Sequence, residues 1–237
     1  TDHEGRGRWI CNHCGKGDGF DLLMRLNGWD FKTAAQAVQR VLGSVPEERE
    51  DRSSKRDAPR RIERIKRGLI AEHSEVAAYL RARGLRQPPG VRAHPSLAYY
   101  EDRKRVADYP AMVAPVQSPA GEIVSLHVTY VSGGKAPVSA PRKLLTPIGS
   151  LDGAAIRLWP RAEHMGVAEG IETAIAAATL FRIPVWSVLN TTLMEKWQPP
   201  KGVKRVTICA DHDANFAGHK AAYTLAFRLA NAGLEVD

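Results

Sequence analysis

No stretch of this chain approaches the roughly 18 consecutive apolar residues that a membrane-spanning helix needs. The first residues, Thr1-Asp-His-Glu-Gly-Arg6, hold no apolar leader core. No membrane partner is expected. Cysteine is scarce, at three: Cys11, Cys14 and Cys209. An odd count without a secretory leader argues against a disulfide framework and for a reducing cytoplasm. There is no internal repeat, so a solenoid is not expected. The chain begins at Thr1 rather than Met, and Gly233-Leu-Glu-Val-Asp237 reads as a strand just begun. A piece of a longer protein is the expectation.

What is present is an uneven charge. The chain carries a net +8, yet residues 166–237 hold seven basic and seven acidic groups. The excess lies upstream, most densely in residues 52–67, with eight basic and two acidic groups. Such a segment suits a polyanion, because neutralising phosphates drives non-specific nucleic-acid binding. Arg60, Arg61, Arg64, Lys66 and Arg67 are the candidate contacts. A solvated helix or a floppy linker is the bland alternative.

The chain falls into four parts. Residues 1–43 read as a short strand entering Cys11-Asn-His-Cys14, then two helices, the first capped by Asp18. Residues 44–68, with Pro46 and Pro59, read as a basic linker that turns helical near its end. Residues 69–165 open on a helix that stops at Gly84 and continue as a β-rich module, with strands near 111–116, 121–131 and 155–159. From 166 short apolar runs alternate with helical patterns, which predicts parallel strands with right-handed crossovers. The expected class is mixed α/β.

Two acidic clusters sit where such a sheet keeps its sites. Glu169, in Val167-Ala-Glu-Gly-Ile-Glu-Thr173, and Asp211 with Asp213, in Ile208-Cys-Ala-Asp-His-Asp213, each follow an apolar run and precede a helical pattern. That places carboxylates at the C-terminal ends of strands. Three converging carboxylates repel one another unless a cation lies between them, and hard oxygen ligands select Mg²⁺ or Mn²⁺. Glu172 either reaches the same site or caps the helix N-terminus. Lys220 near a helix start, and Arg142 and Lys143 ahead of a β-rich segment, are candidate phosphate or nucleotide contacts. Cys209, Trp159, Trp186 and Trp197 read as core.

Cys11 and Cys14 have the spacing of half a zinc site, two thiolates across a glycine-rich turn. Zinc wants four ligands. His3 and His13 are the nearest others, and an upstream pair outside the sequence is the better expectation.

Glu169-Gly170 followed by Asp211-x-Asp213 resembles the Toprim signature of topoisomerases, primases and related nucleases. Gly7–Leu23 resembles the second half of a phage or plasmid primase zinc ribbon. Ala78-Tyr-Leu-Arg-Ala-Arg-Gly-Leu85 resembles the start of DnaG-type catalytic cores, and 115–124 with Arg142-Lys143 and 153–158 resembles the middle module of phage-type Toprim primases. The resemblance implies a zinc-ribbon remnant with helices (1–43), a linker (44–68), a core N-terminal module (69–165) and a Toprim domain (166–237). It implies a DNA primase making RNA primers on single-stranded DNA from NTPs, in a bacterial or phage-infected cytoplasm. Glu169, Asp211 and Asp213 would be its metal-holding catalytic residues, and Cys11 and Cys14 its Zn²⁺ ligands. A Toprim nuclease and a non-catalytic DNA-binding module are the rivals. The chain departs from bacterial replicative primases in the spacing from Asp213 to Gly218. It has no Walker loop, so a replicative helicase would be a separate domain or partner.

Overall fold

The computed structural model describes residues 9–11, 15–42, 52–102, 104–211, 214 and 216–237. Two compact units, Thr1–Arg52 and Ser53–Asp237, divide the chain. In the first, β1 (Trp9–Cys11) and β2 (Gly15–Gly17) form an antiparallel hairpin with Cys11 opposite Gly15. The Cys11 side chain, Cys14, and the candidate ligands His3 and His13 lie outside the described residues. Helix α1 (Gly19–Asn27) starts on a reciprocal cap. The Asp18 carboxylate accepts from Asp21 N–H at 3.0 Å, and the Asp21 carboxylate accepts from Asp18 N–H at 3.0 Å. It ends at Gly28, whose φ of 67° favours glycine. Helix α2 (Phe31–Leu42) packs Phe31 on Phe20, ring centroids 5.3 Å apart.

The second unit opens with α3 (Arg52–Arg67), apart from its first residue, and α4 (Ser74–Arg81). The segment expected as a linker over 44–68 is thus helical from Arg52 on. Ala58, Ile62 and Ile65, at helical spacing, are buried, and Ile62 and Ile65 pack against the β-rich module. These three residues anchor a helix whose composition is otherwise that of a solvated basic tail.

Next come β3 (Arg92–Glu101), β4 (Lys104–Gln117), β5 (Ile123–Tyr130), β6 (Arg142–Leu144) and β7 (Ala155–Ile156). The remaining elements are β8 (His164–Ala168), α5 (Ile171–Phe181), β9 (Val185–Ser187), α6 (Thr191–Lys196), β10 (Arg205–Cys209), α7 (Ala217–Asn231) and β11 (Glu235–Val236). Among the described residues these strands make one mixed sheet in the order β11-β10-β8-β9-β7-β4-β5-β6, with β3 on β4. The pairs β11-β10, β10-β8 and β8-β9 are parallel; the others are antiparallel.

The two halves bury their cores differently. In the parallel half, Met165, Val167 and Val206 meet Met194, Trp197, Leu225 and Leu229 from α6 and α7. Ala168 on the other side of β8 packs with Ile171, Ala174 and Ile175 of α5. Strands covered on both faces read as unbroken apolar runs. In the antiparallel half the sheet curls until side chains of β6 and β5 reach β3. Lys143 Nζ donates to the Tyr100 carbonyl at 2.5 Å, and Tyr130 Oη donates to the Ala98 carbonyl at 3.2 Å. These bonds occupy carbonyls of a strand that pairs with β4 and, at Ala93, with Ile70. No helix among the described residues is long and apolar enough to cross a membrane.

Candidate metal centre at the parallel strand ends

Strands β8 and β10 pair in parallel with Ala168 opposite Cys209. The next residue on β8 is Glu169, and Asp211 lies two residues past Cys209. The register thus brings these two carboxylate-bearing residues to the same end of adjacent strands. The Glu169 carbonyl accepts from Leu189 N–H at 2.9 Å and from Ser187 Oγ at 2.7 Å, which ties this strand end to β9. Thr173, in the first turn of α5, donates to Asp211 Oδ1 at 3.4 Å. Asp213 lies outside the described residues. Within the described residues no group of three or more His, Cys, Asp or Glu could hold a metal ion. Two hard oxygen donors at one strand end fit part of a divalent-cation site.

The approach of α7 to this point depends on one residue. A Cβ built on Gly218 would lie 2.5 Å from the Asp211 carbonyl oxygen, so only glycine lets the first turn of α7 rest on the Asp211 backbone. Just before it, Phe216 has a φ of 58°, a left-handed conformation uncommon for an aromatic residue. In the sequence Gly218 stands out only by its spacing from Asp213. Its signal was a glycine soon after an acidic strand end.

Glu172 turns elsewhere. It accepts from Tyr79 Oη on α4 at 2.6 Å and from Arg142 Nη2 on β6 at 2.5 Å. Burial acts to raise its carboxyl pKa, but the Tyr79 hydrogen bond and the Arg142 charge outweigh it and hold the group below its usual value. Beside this trio lies His127 on β5, whose imidazole burial pushes down to about 4. Its Nδ1 is buried without a hydrogen-bond partner. Sequence reading had no signal for His127.

The candidate cations are dispersed. Arg142 is paired with Glu172. Lys143 reaches the Tyr100 carbonyl and lies 3.9 Å from the centre of the Tyr99 ring. Lys220 pairs with Glu195 at 3.2 Å, and Lys66 with Glu63 at 2.6 Å. Arg60, Arg64 and Arg67 are exposed on α3, and Arg61 lies over the Tyr100 ring at 5.9 Å. Cys209 packs partly buried against the core, and burial raises its thiol pKa. Trp197 is fully buried, and the Trp186 indole donates to the Trp159 carbonyl at 2.8 Å.

Residues 1–20 match the family model of the zinc-binding domain of primase-helicase, and residues 164–237 match that of the Toprim domain. A Toprim match and a primase-helicase zinc-binding match thus stand on one chain. Residues 55–158 match a domain of unknown function, DUF7146. The pairing of the two named domains supports DNA primase function over a Toprim nuclease or a non-catalytic zinc/Toprim module. The zinc-binding match supports Zn²⁺, the Toprim match a divalent metal, and together they support a nucleotidyltransferase-like enzyme.

Among solved structures, the chain is similar to the zinc-binding and RNA polymerase domains of the Aquifex aeolicus primase. The identity there is 15% with a TM-score of 0.47, covering 98% of this chain and 66% of that one. It is also similar to the primase fragment of the bacteriophage T7 primase-helicase protein, at 20% identity and a TM-score of 0.46, covering 71% and 69%. A third likeness is to a DnaG primase catalytic domain bound to single-stranded DNA, at 14% identity and 0.49, covering 78% and 72%.

Proposed function

We propose that this chain makes short RNA primers on single-stranded DNA by metal-dependent nucleotidyl transfer from NTPs. The observation that carries the reading is the parallel register of β8 and β10, which brings Glu169 and Asp211 to one strand end inside a Toprim-matched segment. Glu169, Asp211 and Asp213 hold Mg²⁺ or Mn²⁺; Cys11 and Cys14 supply part of a Zn²⁺ site. An ion held there would supply Lewis-acid activation of a hydroxyl nucleophile and neutralisation of phosphate charge.

The chain's own groups hold that arrangement. Thr173 orients the Asp211 carboxylate, Ser187 fixes the Glu169 backbone, and Gly218 sets the distance of α7. Glu172 positions Arg142 rather than a metal, and Arg142, Lys143 and Lys220 would reach nucleotide phosphates only by exchanging their present partners. The basic face of α3, with Arg60, Arg61, Arg64, Lys66 and Arg67, faces the template. A replicative helicase is the natural partner, as a separate domain or protein, in a bacterial or phage-infected cytoplasm.

The test is primer synthesis by the whole protein on single-stranded DNA with NTPs and Mg²⁺ or Mn²⁺. Primers from the unaltered protein and none from Asp211→Ala are expected. Nicking of DNA without NTPs, or no primers with either metal, overturns the reading.

A further inference from the structure

Away from the strand ends, a cleft of about 230 Å³ lies between α3 and β3. Its charged and aromatic lining is Arg61, Arg64, His94, Tyr100, Arg105 and Asp108. Arg105 spends itself on Asp108, with Nε donating to Oδ1 at 3.1 Å and Nη2 to Oδ2. That leaves the Arg61 and Arg64 guanidiniums, which meet no carboxylate among the described residues. Glu63 on the same helix is taken by Lys66. Three guanidiniums against one carboxylate leave the cleft with two uncompensated positive charges. His94 adds none near neutrality, because burial lowers its pKa below the ordinary value.

Shape and spacing narrow what the cleft can take. Its volume falls below the roughly 300–1,000 Å³ of clefts that enclose a whole small molecule. It suits one phosphate-and-sugar unit of a chain that continues outside. Arg61 and Arg64 are three residues apart, so their Cβ atoms stand about 5–6 Å apart on one helix face. Two forks at that spacing reach neighbouring phosphates of one strand. Ile65, Leu97 and Ala98 supply apolar walls against the sugar, and the Tyr100 ring holds the Arg61 guanidinium in place.

We propose that this cleft binds the phosphate backbone of single-stranded DNA, with Arg61 and Arg64 as phosphate ligands and Tyr100 positioning Arg61. The choice of DNA strand rests on the primase reading above; the anion site itself does not.

The test is fluorescence anisotropy of a labelled oligodeoxythymidylate with the whole protein, without NTPs, over a salt series. Arg61→Ala with Arg64→Ala should weaken binding by about tenfold. It should also flatten the dependence of log K on log salt by about 1.4, the loss of two phosphate contacts on a single strand. Arg182→Ala with Lys201→Ala removes the same charge from the exposed surface away from α3 and should change the slope by less than half as much. Tyr100→Ala should weaken binding, and Tyr100→Phe should keep it. Equal effects from the two pairs of substitutions, or an unchanged slope in the first, overturn the site. A protein that makes primers while its Arg61/Arg64 double variant binds normally sinks the cleft and spares the primase reading. A protein that makes no primers but shows the predicted slope change does the reverse.

Discussion

The two halves of the large sheet treat charge in opposite ways. In the parallel half, Glu169 and Asp211 stand at the ends of β8 and β10, where neutral groups hold them: Thr173 on the Asp211 carboxylate, Ser187 on the Glu169 carbonyl and α7 against the Asp211 backbone. In the curled antiparallel half, charges are consumed in closing the structure. Lys143 ties β6 to β3, Arg105 holds Asp108, and Arg142 pairs with Glu172. The difference follows from strand geometry. Parallel strands leave a crevice beyond their carboxyl ends, between the crossover helices. An antiparallel edge presents unpaired backbone groups, which side chains must cover. The halves join through β7 in the sheet, and through Glu172, Tyr79 and Arg142 in side chains.

The sharpest way to break this comparison is at the strand end itself. Asp211→Ala should lower primer synthesis by more than about 100-fold, beyond the roughly 10–100-fold cost of losing a group that merely supports a ligand. Thr173→Val tests that lesser role and should fall inside the range. Single-stranded DNA binding should survive both, as anisotropy would show. An Asp211→Ala protein that still makes primers would move the chemistry away from β10.

The next largest effect belongs to the curled half and to pH. The folded-state pKa of His127 lies near 4, below its ordinary 6.5. Between those values the unfolded chain takes up a proton that the folded chain refuses, so stability falls as pH drops from 6.5 to 4 and levels off below. The full shift corresponds to up to roughly 3 kcal/mol. Urea midpoints of the wild type and His127→Leu at pH 7 and pH 4.5 should differ in their pH dependence by that order. Parallel curves would remove His127 as the cause.

Glu172→Ala probes the junction between the halves. It strands Arg142, whose side chain is 44% exposed. The expected cost is about 2 kcal/mol, short of the ~3–5 of a fully buried pair because water reaches the cation. Because the folded Glu172 carboxyl is held below its usual pKa, its contribution is present above that value and fades as pH falls through the lowered one. The wild-type advantage over Glu172→Ala in denaturant melts should shrink accordingly toward acid. An advantage independent of pH would mean the brace does not act through charge.

The halves also differ in how openly the sequence declares them. The alternation expected from residue 166 on corresponds closely to β8, α5, β9, α6, β10 and α7, because strands buried on both faces and helices with one buried stripe each leave a local pattern. The curled half leaves fewer such marks. Strand β3 carries Pro95 and a register shift between His94 and Leu97, which interrupt the alternation. Helix α3 shows three buried apolar positions amid eight cations. Glu169 and Asp211 were legible because a carboxylate ending an apolar run is a local signal. The pairing of Glu172 with Arg142, the burial of His127 and the contact beneath Gly218 were not, since each depends on residues tens of positions away or on backbone approach. Asp213 and Cys14 lie outside the described residues.

Gly218 offers the smallest effect on stability and the finest test of how the parallel half works. The Cβ of an alanine there would meet the Asp211 carbonyl oxygen at 2.5 Å, closer than nonbonded atoms tolerate, and the obstacle is backbone rather than a flexible side-chain tip. Either α7 withdraws or Asp211 shifts. Withdrawal loosens Leu225 and Leu229 from the sheet and should cost about 1 kcal/mol, the low end of overpacking. A shift of Asp211 leaves the core intact but spoils the carboxylate's position, where an error of about 1 Å is enough to cost two orders of magnitude in rate. Gly218→Ala should therefore lose far more primer synthesis than its small change in urea midpoint explains. A loss of activity only in proportion to the loss of folded protein would show that Gly218 serves packing alone.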